Sequence, residues 1–116
     1  MKYIKRKLTI EKVSVETIAK KFGTPTYCYS YGKLKNNINN FKRNFKSFSP
    51  LICFAVKSNT NINLLKEIKK FGLGADVVSV GEMMVALKAG IKPNKIVFSG
   101  VGKTEQEIKF AIQKEI

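Results

Sequence analysis

Residues 51–72, "LICFAVKSNTNINLLKEIKKFG", decide how this chain is organised. Pro50 interrupts what precedes them, and "LICFAVK" follows as an apolar run short enough for a buried strand. The periodicity then changes from two to about three and a half. Ile62, Leu65 and Ile68 recur on one helical face across residues 61–71, and Gly72 stops the helix. A buried strand followed by an amphipathic helix after a short turn is one βα unit.

The same unit recurs twice. "ADVVS" (75–79) leads to the helix "GEMMVALKA" (81–89), which stops at Gly90 ahead of Pro93. "KIVF" (95–98) leads to the helix "TEQEIKFAIQKE" (104–115). Strands alternating with helices through short turns predict a parallel α/β sheet. Upstream, Val15, Ile18, Ala19 and Phe22 form a helical stripe with Ser14 as N-cap and Gly23 as stop, and Pro25 opens a strand "TYCYS". Leu34, Ile38, Phe41 and Phe45 form the apolar face of a helix over residues 31–46. The last helix shows no Gly or Pro stop and is expected to run to the final residue. Three parallel strands leave exposed edges and a half-covered face, so the reading is of a piece of a larger α/β fold.

Composition excludes several classes of function. With no His among 116 residues, histidine acid/base chemistry and histidine metal sites are absent from this stretch. No metal site is predicted. The formal net charge of +14 invites a nucleic-acid-binding reading. The charge is mostly lysine, however, spread along the chain among Asn and Ile, where arginine is expected for bidentate phosphate contacts. No nucleic-acid partner is predicted, and a basic nucleic-acid-binding domain stays as an alternative of another class. Cys28 and Cys53 form no C-x-x-C pair and read as reduced, buried thiols, which suits a cytoplasmic location. "MKYIKRKL" lacks the apolar stretch of a signal peptide, and no segment approaches the ~20 apolar residues of a membrane span.

"FSGVGKT" (98–104) has the look of a phosphate loop. The P-loop pattern G-x-x-x-x-G-K-[ST] places its first Gly at position 97, where Val97 stands inside a strand. A plainer reading is a turn eased by Gly100 and Gly102, followed by a helix that Thr104 and Glu107 open as a capping box. A P-loop nucleotide binder is thereby disfavoured.

The residue that points to chemistry is Lys57. Strand alternation puts Leu51, Cys53, Ala55 and Lys57 on one face, with Lys57 at the carboxyl end, where α/β sheets gather functional groups. A desolvated lysine there has a lowered pKa and can form a Schiff base with a carbonyl compound. On position alone, a strand-end lysine that simply reaches water is the favoured reading.

Phe54-Ala55-Val56-Lys57-Ser58-Asn59, followed by Leu64-Leu65, Ile68 and Gly72, resembles the pyridoxal-phosphate attachment signature of the alanine-racemase-like barrel decarboxylases. "FGTPTYCYS" (22–30) and "GLGADVVSVGEMMVALKAGIKPNKIVFSGVGKTEQEI" (72–108) look most like the diaminopimelate branch of that family. The resemblance runs from about Ile18 to Ile112 and covers the N-terminal part of such an enzyme. It implies an α/β fold, the N-terminal part of a pyridoxal-phosphate-binding (β/α)8 barrel, incomplete in 116 residues because a whole barrel needs ~250. Residues 1–30 would pack with a C-terminal β-domain, and residues 31–116 would form the first three βα units.

By the same resemblance, Lys57 is the catalytic residue that carries pyridoxal 5'-phosphate, Asp76 lies beside that lysine and the cofactor, and Ala55 leaves room for the flat ring. Glu82 matches a family glutamate, although a helix-start glutamate serves the helix dipole equally well. The implied reaction is decarboxylation of meso-2,6-diaminopimelate to L-lysine and carbon dioxide, with a small-molecule amino acid as substrate and a homodimer with shared active sites. Related barrel decarboxylases of ornithine, arginine or carboxynorspermidine are the alternative. The 116 residues alone are expected to bind the cofactor weakly and not to decarboxylate.

Overall fold

The computed structural model describes all 116 residues. They divide into two compact units, Met1–Ser47 and Phe48–Ile116.

The first unit opens with strands absent from the sequence-based expectation. β1 (Lys2–Ile4), β2 (Lys7–Ile10) and β3 (Val13–Ser14) form an antiparallel sheet in that order. Ile4 pairs with Lys7, so the first hairpin turns on Lys5 and Arg6 alone, at φ 47° and 62°. Two left-handed residues are what a tight hairpin of type I′ requires. Here they are Lys and Arg rather than Asn-Gly, and this removes the signal by which such a turn is recognised.

Ser14 caps α1 (Val15–Phe22), its Oγ accepting from Thr17 N at 3.1 Å, and Gly23 ends that helix at φ 80°. Ser30 caps α2 (Tyr31–Asn44) in the same way. Glu11, on the β2–β3 turn, adds a second acceptor at that helix start. Its Oε1 takes hydrogen bonds from Gly32 N and Ser30 Oγ, each at 2.7 Å, and these hold the carboxyl below its ordinary range.

The expected strand "TYCYS" is not one. Residues 26–30 join no ladder, Tyr27 and Tyr29 are exposed, and Cys28 is exposed rather than buried. β-propensity requires a paired neighbour to become a strand, and this run has none in the three-stranded sheet. Instead it helps line an open cavity of about 800 Å³ with Ile10, Val13, Ile18 and Phe22.

The second unit is the expected repeat of βα units. β4 (Cys53–Ala55), β5 (Gly74–Val77) and β6 (Ile96–Phe98) form a parallel sheet in chain order, followed in turn by α3 (Ile62–Lys70), α4 (Val80–Lys88) and α5 (Glu105–Gln113). Phe54, Ala75, Val77, Ile96 and Phe98 alternate onto one face. They pack there with the fully buried Leu65 and Met83 and with Ala86 and Ala111. Burying a Leu or Met side chain in this way contributes about 1.5–3 kcal/mol. Residues of the opposite parity, Cys53, Ala55, Asp76 and Val97, take no part in that core. The sheet is therefore covered by helices on one face only.

Two boundaries differ from expectation. The strand read over 51–57 lasts only from Cys53 to Ala55, because Val56–Ser58 winds into a 3₁₀ turn in which Asn59 N donates to Val56 O at 2.9 Å. The last helix stops at Gln113. Glu115, at φ 59°, provides the left-handed residue, and Ile116 N closes on Ala111 O at 3.0 Å. This is the hydrogen-bond pattern that Gly90 (φ 84°) makes after α4, where Ile91 N meets Ala86 O at 3.1 Å. A glutamate in the glycine position carries no sequence signal.

Candidate functional site

The carboxyl ends of β4, β5 and β6 and the turns after them build the site. In β4 the chain leaves the sheet at Ala55. Val56 turns fully into the core, and this anchors the 3₁₀ turn and leaves Lys57 exposed on it. Strand alternation therefore stops two residues short of Lys57 and does not set its direction. Ser58 Oγ donates to Ala55 O at 2.7 Å, which ties the turn back to the strand end.

Parallel register aligns the other residues. Ala55 is the partner of Asp76, and Asp76 is the partner of Val97, so these three lie side by side on the face without helices. Asp76 is half-buried and its Oδ1 accepts from Ser99 Oγ. Ser99 follows β6, and its backbone N donates to Val77 O at 2.9 Å. Ser99 was not anticipated from sequence. A serine at a strand end is commonplace, and only the β5–β6 register brings it to Asp76.

Cys53 lies on the same face, half-buried, two residues before Ala55. Burial first, and then the negative charge of Asp76, push its thiol above the ordinary value. A raised pKa in the folded state favours the neutral thiol. Its contribution to stability is full below the unfolded thiol pKa and is lost as pH rises through the raised value. At neutral pH iodoacetamide is expected to label the exposed Cys28 several-fold faster than Cys53, and Asp76→Asn is expected to speed labelling of Cys53. Peptide mass mapping over time reads both. Equal rates that ignore the substitution would contradict the assignment.

Glu82 is engaged locally. Its Oε2 accepts from Val78 N at 2.9 Å, while Ser79 Oγ accepts from Glu82 N at 3.3 Å, so the pair closes the start of α4. Lys103 folds back on its own loop: Nζ donates to Gly100 O and stands 4.9 Å from the Phe98 ring centroid. Thr104 and Glu107 form the expected capping box, and the hydrogen bonds from Thr104 lower the Glu107 carboxyl, with a smaller contribution from the Val80 amide. Gly100 turns at φ 96°, whereas Gly102 has no positive φ. No group of three or more His, Cys, Asp or Glu side chains gathers to hold a metal ion.

An exposed primary amine at a strand end, a carboxylate on the next strand and a small side chain in register with it are a donor set suited to an aldehyde cofactor with a flat ring. Residues 31–116 match the family model described as the pyridoxal-dependent decarboxylase, pyridoxal binding domain. The chain is 45% identical over all of its length to a diaminopimelate decarboxylase of Aquifex aeolicus, of which it spans 27%. It superposes with a TM-score of 0.94 on the crystal structure of diaminopimelate decarboxylase from M. jannaschii, at 33% identity, over 99% of this chain and 28% of that one. For the Helicobacter pylori enzyme crystallised with L-lysine the TM-score is 0.82 at 46% identity, over 87% of this chain and 26% of that one. The chain thus spans about a quarter of the length of these relatives, and with most of its residues in the matched domain it belongs to the family of pyridoxal-dependent decarboxylases.

Proposed function

We propose that this chain forms the lysine-bearing part of a decarboxylase that converts meso-2,6-diaminopimelate to L-lysine and carbon dioxide. The observation that carries this reading is the exposed Lys57 amine on the turn after β4, beside a sheet face on which Ala55 and Asp76 stand in register. Support for the substrate comes from relatives named diaminopimelate decarboxylase at 42–48% identity and from L-lysine in the crystallised Helicobacter pylori enzyme.

Lys57 would hold pyridoxal 5'-phosphate through Nζ. Asp76 would keep a negative charge on the cofactor's side of the sheet and favour the protonated form of a nearby nitrogen. Ala55, with a single methyl group, would leave room over the sheet for a ring. When bound, the cofactor supplies an electron sink for the pair left on the α-carbon as carbon dioxide departs. The half of the sheet without helices would face the inside of a barrel, where layers of side chains exclude water. We read residues 1–30 as the segment that packs with a further β-rich domain, the working unit as a homodimer, and its location as cytoplasmic; no helix is long and apolar enough to cross a membrane.

Carbon dioxide release by protein from the complete reading frame tests the substrate. We expect turnover with meso-diaminopimelate at least about a hundredfold above that with ornithine or arginine, since a site built to pair a polar group strongly rejects analogues lacking it. Preferential turnover of ornithine or arginine would transfer the chain to a different branch of the family.

A further inference from the structure

Asp76 does not stand alone on the sheet. Its lateral neighbours in register, Ala55 on β4 and Val97 on β6, offer no polar atom, and none of the three ion pairs in the structure includes it. Its side chain is met instead by Ser99, two residues beyond Val97. Ser99 is itself held in place because its backbone N extends the β5–β6 ladder to Val77 O at 2.9 Å. The donor therefore sits on a fixed main chain rather than on a loose loop. A hydroxyl donating to a carboxylate forms a charge-assisted bond, which is stronger and more directional than a neutral one.

Little of this bond is needed for folding. Both residues are only partly buried and neither belongs to the apolar core, which lies on the other face of the sheet. Its effect is to select one rotamer of Asp76: with Oδ1 engaged, the carboxylate cannot swing freely over the uncovered face. We infer that Ser99 is a positioning residue, whose hydroxyl holds the Asp76 carboxylate in the orientation that serves the amine and cofactor at Lys57. The inference rests on the reading above that Lys57 carries pyridoxal phosphate.

The test uses the holoprotein from the complete reading frame with four variants: Ser99→Ala, Ser99→Thr, Asp76→Asn and the double variant Ser99→Ala/Asp76→Asn. Cofactor affinity is read by absorbance titration, attachment at Lys57 by borohydride trapping and peptide mass, and folding by thermal midpoint. Ser99→Ala is expected to weaken cofactor affinity about tenfold, the scale of a hydrogen bond to a charged group. Ser99→Thr, which keeps the hydroxyl, is expected to restore it to within about twofold. On the Asp76→Asn background Ser99→Ala should add nothing, because the group it positions has gone. Measured after removal of the cofactor, the thermal midpoint should hardly move.

Wild-type affinity in Ser99→Ala, or an equal loss from Ser99→Ala with and without Asp76, would overturn the positioning role while leaving the cofactor reading intact. Failure of the wild-type protein to trap cofactor on Lys57 would overturn the cofactor reading and this role with it.

Discussion

Alanine at position 57 is expected to leave the full-length protein without covalently held pyridoxal phosphate and to lower kcat by at least about three orders of magnitude. Lys57 is unusual in its placement rather than in its charge. It follows Val56, which is 0% exposed and locks the 3₁₀ turn into the core, and it is itself exposed. The turn therefore has an apolar anchor that does not depend on the lysine. Lys57→Ala should fold as the parent does, and its thermal midpoint should stay within a degree or two of that of the cofactor-free parent. Lys57→Arg separates amine from charge, because a guanidinium keeps the positive charge but remains protonated and is no nucleophile. If charge alone mattered, Lys57→Arg would retain cofactor. Borohydride treatment and mass mapping are expected to show a pyridoxyl adduct on the wild-type peptide that contains Lys57 and none on either variant. An adduct on another lysine would refute the assignment.

Gly74→Ala is expected to destabilise the second unit by about 3 kcal/mol or more, the upper end of overpacking costs, because what resists it is main chain. A Cβ at Gly74 would lie 2.1 Å from Lys95 O and 2.9 Å from Cys53 Sγ. The sulfur could rotate away, but the Lys95 carbonyl enters β6 and can move only by breaking the alignment of β5 with β6. Gly74 has no positive φ, so the need for glycine here is one of space alone. Gly102→Ala is the control. It too has no positive φ, and a Cβ there meets nothing within 4 Å, so its cost should be within about 0.5 kcal/mol. Denaturant unfolding of the two variants checks both values, and equal stabilities would show that β5 and β6 are not packed as described. A shift of β6 would also carry Ser99 away from Asp76, so cofactor affinity should fall with stability in Gly74→Ala but not in Gly102→Ala.

The βα repeat was legible because each of its helices carries an apolar stripe and a local start or stop. Ser79, Thr104, Gly72 and Gly90 act through bonds that span a few residues, and a short sequence window contains both partners. The hairpin of β1 and β2 was not legible, since its turn residues are Lys5 and Arg6, and the stop of α5 was hidden in the same way by Glu115. The apparent strand at 26–30 failed for the opposite reason: it has the composition of a strand and no partner to pair with.

For the site, Lys57, Asp76 and Ala55 came from a motif, whereas their relation in space did not. By itself the amino-acid sequence determined that three βα units follow one another, that a lysine stands between the strand and the helix of the first of them, and that "FSGVGKT" is a capped turn rather than a phosphate cradle. Those facts depend on periodicity, chain order and hydrogen bonds between near neighbours. Tertiary structure alone decided that Ala55, Asp76 and Val97 align, that Ser99 reaches Asp76 from 23 residues away, and that Lys57 stands exposed on a turn rather than along a strand face. Strand register and the point at which a chain leaves its sheet depend on packing between segments far apart in sequence, and no local pattern encodes them.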